Sequence, residues 1–156
     1  MGAEEQFAEQ VVAFRECVEC ADTGEPAVRT ALSHLLGLFQ IALSLPKVDP
    51  NTRDVPAVPD SEWRRVFRAC ERLPVKHYGM VFDSLVVPPE EAVIGCVADD
   101  LADIYRDLIA GLQTHVSGNR ELATWHWRFT FWSHWGRHAV GAMGALRGWL
   151  EQRGTW

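Results

Sequence analysis

The chain has 156 residues, 47% of them hydrophobic and 23% charged, enough for one domain with a full core and too few for two ordinary ones. Its 15 cations against 21 carboxylates leave a net charge of −6, which repels nucleic acid and anionic lipid, so neither is expected as a partner. No apolar run reaches the roughly 18 residues of a membrane span, and Met1–Gln6 lacks both the basic and the apolar part of a secretion signal, so a cytoplasmic location is expected.

Residues 1–156 are therefore read as one domain, taken here in chain order. Phe7, Val11, Phe14 and Val18 recur at helical steps and predict a first helix over about 3–21. Asp22-Thr23-Gly24 breaks it. Pro26 suits the first turn of a second helix, which runs through Val28, Leu32, Leu35, Leu38 and Ala42 to about Leu45. Pro46, Pro50, Pro56 and Pro59 mark a loop. Asp60 or Ser61 caps a short third helix that ends near Arg72, ahead of Pro74.

Residues 75–88 are apolar without a clean period, and a lone strand there has nothing to pair with. They are read as a buried, irregular connection. Pro88-Pro89-Glu90-Glu91 then suits a helix start, with proline tolerated in the first turn and acids at the positive end of the dipole. The fourth helix carries Ile94, Val97, Leu101, Ile104, Leu108 and Leu112 on one face to about His115. Gly118-Asn119 turns the chain. The fifth and longest helix covers about 121–152. The expected fold is an all-α, single-domain antiparallel bundle of about five helices, with a long aromatic C-terminal helix.

Cys17 and Cys20 form a CxxC inside a helical pattern, while Cys70 and Cys96 stand alone. Four ligands at zinc-site spacing are missing, so the cysteines are read as reduced, small hydrophobes.

Five of the seven tryptophans crowd the last helix. At 100° per residue, Trp125, Phe129, Trp132, Gly136, Ala139, Met143, Leu146 and Leu150 share one face. Trp127, Phe131, Trp135, Ala142 and Trp149 form a second stripe. A helix apolar around so much of its girth is central or covered by another chain. Trp127, Phe131, Trp135 and Trp149 are thus candidates for an interface with a protein partner or a second copy. Gly141, Gly144 and Gly148 add a small-residue strip that an adjacent element would approach closely.

Two polar groups could carry chemistry. Asp99, Asp103 and Asp107 stand at four-residue steps and stack along one side of the fourth helix, with Asp100 beside them. His134 and His138 stand one turn apart on the fifth, with Arg137 between them. If the two helices are antiparallel neighbours, facing residue numbers sum to roughly 237. That pairs Asp103 with His134 and Asp99 with His138, and puts Asp107 near Arg128 and Phe129. Imidazole nitrogen with carboxylate oxygen is a donor set for a divalent transition metal. The plainer reading is a solvated acidic face with histidines hydrogen-bonded to it, which requires no cofactor.

The run Asp99-Asp100-Leu101-Ala102-Asp103-Ile104-Tyr105-Arg106-Asp107-Leu108, followed by Trp127-Arg128-Phe129 and His134-Trp135-Gly136-Arg137-His138, resembles the bacterial DUF5063 family. Tyr78 to Asp83 is similar to that family's Tyr…Phe-Asp stretch. The resemblance implies a helical fold of this length, implies no activity, and treats the aspartate and histidine motifs as one unit. The aspartates also resemble, more distantly, one metal-binding helix of the all-α nucleotide pyrophosphohydrolases. Here histidine stands where those enzymes have a second acidic pair, and histidine suits magnesium poorly.

Two functional readings follow. One is a non-catalytic bundle that binds a protein partner or itself through the last helix, since aromatics concentrate at interfaces. The other is a metal-dependent hydrolase with Asp99, Asp103, His134 and His138 as ligands and Asp100, Asp107 and Arg137 flanking them. There the ion would lower the pKa of a bound water and make it a nucleophile.

Overall fold

A computed structural model describes residues 1–20, 22–49 and 53–154. Helix α1 spans Ala3–Glu19, α2 Gly24–Ser44 and α3 Asp60–Cys70. Strands β1 (His77–Met80) and β2 (Val93–Cys96) follow, then α4 (Val97–Val116), α5 (Arg120–Thr130), a π-helical turn (Phe131–Trp135) and α6 (Gly136–Gln152). The segments α5, π turn and α6 run on without a break, so the bundle has the five helical rods expected. Part of the proline-rich loop and of the α1–α2 turn, Pro50–Thr52 and Ala21, lies outside the described residues.

The apolar periodicities meet in one core. Phe7, Val11 and Phe14 of α1 face Val28, Leu35 and Leu38 of α2, and Leu101, Ile104 and Leu108 of α4 complete the layer. Each such side chain, fully buried, contributes about 1.5–3 kcal/mol. The Phe7 ring lies 5.0 Å from that of Trp127 and 6.0 Å from that of Trp135. Helix α2 is long and apolar enough by length and composition to cross a bilayer. Its buried residues, however, pack against α1 and α6.

Two expectations fail between 75 and 96. The fourth helix starts at Val97 rather than near Pro88, and residues 75–88 are not a buried connection. Val93–Cys96 pairs antiparallel with His77–Met80, in the register His77↔Cys96 and Met80↔Val93. The strand at 77–80 has its partner in the residues expected to start the helix. Val93 and Ile94 are β-branched and fit a pleated edge. The ladder runs to the helix itself, where Val97 N–H donates to the Lys76 carbonyl at 3.0 Å. Helix α4 then opens with Asp99 and Asp100 at the positive end of its dipole. The hairpin tip is exposed at Phe82, Leu85 and Val87.

The last helix is not regular throughout. A π turn adds one residue to a helical turn, so a constant 100° step misplaces everything beyond it. The inward stripe runs Trp127, Phe131, Trp135, Ala139, Ala142, Leu146 and Leu150. It begins on the second predicted stripe and continues mainly on the first, with Ala142 of the second still inside. The N-terminal part of the first stripe turns outward, leaving Phe129 54% and Trp132 66% exposed. Gly136 permits the π turn, because a Cβ there would overlap the Phe131 carbonyl oxygen.

This removes three of the four interface candidates. Trp127, Phe131 and Trp135 are buried within the chain's own core. Trp149 is half-buried and carries the Arg153 guanidinium 4.6 Å above its ring. The glycine strip is corrected too. Only Gly141 is closely approached, by Tyr78, whereas Gly144 and Gly148 face open space.

Candidate metal centre

The aspartates of α4 and the histidines of the π turn and α6 meet in one half-buried cluster, through partners other than those expected. Before the π turn, α5 is locked to α4 by two bonds to backbone. His126 Nε2 lies 3.0 Å from the Asp107 carbonyl oxygen, and the Trp127 indole N–H donates to the Leu108 carbonyl at 3.0 Å. Beyond it, His134 Nδ1 lies 2.7 Å from Asp107 Oδ2, and His138 Nδ1 lies 2.7 Å from Asp100 Oδ1. Asp107 therefore meets His134 rather than Arg128 or Phe129. Asp100, expected to flank the site, is the direct partner of His138. The extra residue of the π turn re-aims both rings, which a regular helix would not.

Asp100 is the most deeply placed carboxylate, 5% exposed. Its second oxygen accepts the Tyr78 hydroxyl at 2.6 Å. Tyr78 comes from β1, and its ring fills space that glycine leaves at both Gly95 and Gly141. Burial, with the bond to Asp100, pushes the Tyr78 hydroxyl well above its ordinary range, so it remains a donor. The Asp100 bond raises the His138 pKa, against burial, which lowers it.

Asp103 is fixed through one oxygen only. Its Oδ1 accepts the Trp63 indole N–H at 2.9 Å and an Arg106 N–H at 2.6 Å. Its Oδ2 lies 3.6 Å from His138 Nε2. The His134 and His138 rings are 4.8 Å apart at 72°. One ligand atom from each of Asp103, His134 and His138 lies within 4.8 Å of the other two. A second grouping of the same tightness joins Asp99, Asp100 and His138. Burial, then the charges of Asp103 and Asp100, raise the Asp99 pKa.

All four sequence candidates, Asp99, Asp103, His134 and His138, thus lie in these two groupings. Asp100 and Asp107 orient the rings. Arg137 is exposed and makes no side-chain hydrogen bond or ion pair among the described residues. Arg106 is the cation in contact with the cluster instead. Trp63 and Tyr78 were not derivable from helical spacing, because they enter from α3 and β1, whereas Arg106 stands three residues after Asp103 on α4. The only sequence signal for Tyr78 was the family likeness.

The family model described as "Domain of unknown function (DUF5063)" matches residues 3–151. No curated protein matches the chain. Among solved structures, the chain is similar to the crystal structure of protein BF1032 from Bacteroides fragilis. The TM-score is 0.75 at 20% identity, over 92% of this chain and 89% of that one. At that identity the likeness speaks for the fold alone.

Proposed function

The chain belongs to DUF5063, a family of domains of unknown function, and we propose that this member holds one divalent transition-metal ion on Asp103, His134 and His138. The observation that carries this reading is the pair of carboxylate–imidazole bonds. His134 and His138 each engage a separate aspartate through Nδ1. In metal sites a carboxylate bonded to one ring nitrogen of a ligating histidine fixes the tautomer and leaves the other nitrogen to bind the ion. Here Nε2 is the nitrogen left on each ring, and His138 Nε2 already points toward Asp103 Oδ2. Two imidazoles and one carboxylate suit zinc or iron(II), and leave positions open for water or substrate. Bonds of about 2.0–2.1 Å set tetrahedral ligand atoms about 3.3 Å apart, so ligand atoms that lie within 4.8 Å of one another would close in on loading.

The chemistry such a site supports is hydrolysis by a metal-activated water. A cytoplasmic setting suits the four unpaired thiols. The test is thermal unfolding of wild type and His134→Ala with zinc, and again after chelation. Zinc should raise the melting temperature of wild type, and His134→Ala should lose that gain while unfolding near wild type in chelator. Equal behaviour of both proteins with and without zinc would reduce the cluster to hydrogen-bonded ion pairs.

A second reading rests on the outward aromatic row of the last helix. Phe129 and Trp132 are more than half exposed, and Val140 on α6 is 56% exposed. Large exposed apolar groups are more common on interfaces than on free surface. This favours binding of a protein partner or a second copy there, in place of the buried Trp127, Phe131 and Trp135. Sedimentation of wild type against Trp132→Ser decides it for self-association, which requires a larger species that the substitution removes.

A further inference from the structure

The outer side of α3 forms a groove of about 370 Å³, lined by Ser61, Arg65, Arg68 and Arg72, with Ala69 and Glu19 at its edge. Positions 61, 65 and 68 of α3 follow four- and three-residue steps and share one face, and Arg72, in the turn past the helix end, lines the same groove. Arg65 is held, 2.8 Å from Glu19 and 3.9 Å from Glu62. The guanidinium groups of Arg68 and Arg72 have no hydrogen-bond or ion-pair partner among the described residues. Residues 61–76 carry five cations and two carboxylates, in a chain whose total is −6. Like charges at these spacings cost a helix stability. A chain with 21 carboxylates has placed none of them against Arg68 or Arg72.

We propose that this groove binds a phosphoryl oxyanion. Guanidinium presents a planar fork of N–H donors that matches phosphate oxygens in pairs. The Ser61 hydroxyl lies at the same groove and adds a neutral donor. Arg65, its charge matched by Glu19 at the groove's edge, leaves Arg68 and Arg72 as the net positive pair. The volume exceeds that of a bare phosphate and leaves room for an attached organic group. The site lies on the outer face of α3, whereas Trp63 reaches the Asp103 cluster from another face of that helix. The inference therefore does not depend on a metal at that cluster.

The test is calorimetric titration with inorganic pyrophosphate in metal-free buffer at constant ionic strength. Wild type should bind one equivalent with a Kd of about 1 mM or tighter. Arg68→Ala/Arg72→Ala should weaken binding by about tenfold or more, with no change in melting temperature without ligand. Arg68→Lys/Arg72→Lys, which keeps the charge and loses the fork, should also weaken it. Arg64→Ala, off the groove, should not. Absence of saturable binding, or equal weakening by Arg64→Ala, overturns the site in favour of diffuse charge attraction. Sedimentation with phosphatidylcholine vesicles containing phosphatidic acid separates the sources of the phosphate. Vesicle binding that the double variant abolishes assigns the groove to a lipid headgroup. Pyrophosphate binding without vesicle binding assigns it to a soluble phosphate.

Discussion

His138 Nδ1 lies 2.7 Å from Asp100 Oδ1, and this one bond turns the other ring nitrogen, Nε2, toward Asp103. Asp100 can hold the ring because Tyr78, pinned between Gly95 and Gly141, holds Asp100. The chain of control thus runs from a strand, through a buried carboxylate, to an imidazole on α6.

Asp100→Asn should therefore weaken zinc binding by about 10–100-fold without abolishing it, as loss of a carboxylate that orients a ligating histidine does. Asp103→Asn, which alters a ligand, should cost more. Competition with a chelator of known affinity measures both. Equal affinity of Asp100→Asn and wild type would remove Asp100 from the site.

The glycines of the last helix should respond with opposite signs. Gly136→Ala drives a methyl into the Phe131 carbonyl, and overpacking of that kind costs about 1–3 kcal/mol. Gly144→Ala and Gly148→Ala meet open space and should each stabilise by about 0.5–1 kcal/mol through backbone entropy. Urea unfolding reads all three. A stabilised Gly136→Ala would mean the π turn is not held by that contact.

Trp127→Ala should destabilise by about 3–5 kcal/mol, since the side chain is wholly buried and its indole N–H is bonded. Trp132→Ala should stay within about 0.5 kcal/mol. The two together test whether the inward stripe lies where it is described.

Burial pushes the Cys17 thiol up to about 11 and the Cys70 thiol up to about 12, from an ordinary 9.0. A raised folded-state value means that the neutral thiol is the favoured form. The associated stability is present in full below about pH 9 and lost as pH rises through 11 to 12. At pH 8 Cys17 is therefore held as the neutral, unreactive thiol. Iodoacetamide at that pH should label exposed Cys20 ahead of Cys17 and Cys70, as read by mass spectrometry. Labelling of Cys17 first would contradict the packing of α1 on α3.

Much of the fold was legible because its helices keep strict apolar periods and its breaks carry Pro, Gly or Asn. The Gly118-Asn119 turn is one such case, with Gly118 at a φ of 92°. The hairpin was hidden because its two strands lie apart in sequence and Val93 and Ile94 also fit the period of α4. The π turn was hidden because no residue type announces it. Gly136 is its one trace, and among several glycines it did not stand out. Those two features set the details of the site. The π turn reassigns Asp107 to His134, and the hairpin supplies Tyr78. Spacing alone identified Asp99, Asp103, His134 and His138 as neighbours, because side chains one turn apart on facing helices tolerate a one-residue shift.

Zinc titration of the purified, metal-free protein, wild type beside Asp103→Ala/His134→Ala/His138→Ala, separates a metal centre from a set of ion pairs. Wild type should bind one equivalent and the variant none, with both folded by circular dichroism. Binding of zinc at the same stoichiometry by both proteins, or by neither, would contradict the metal centre.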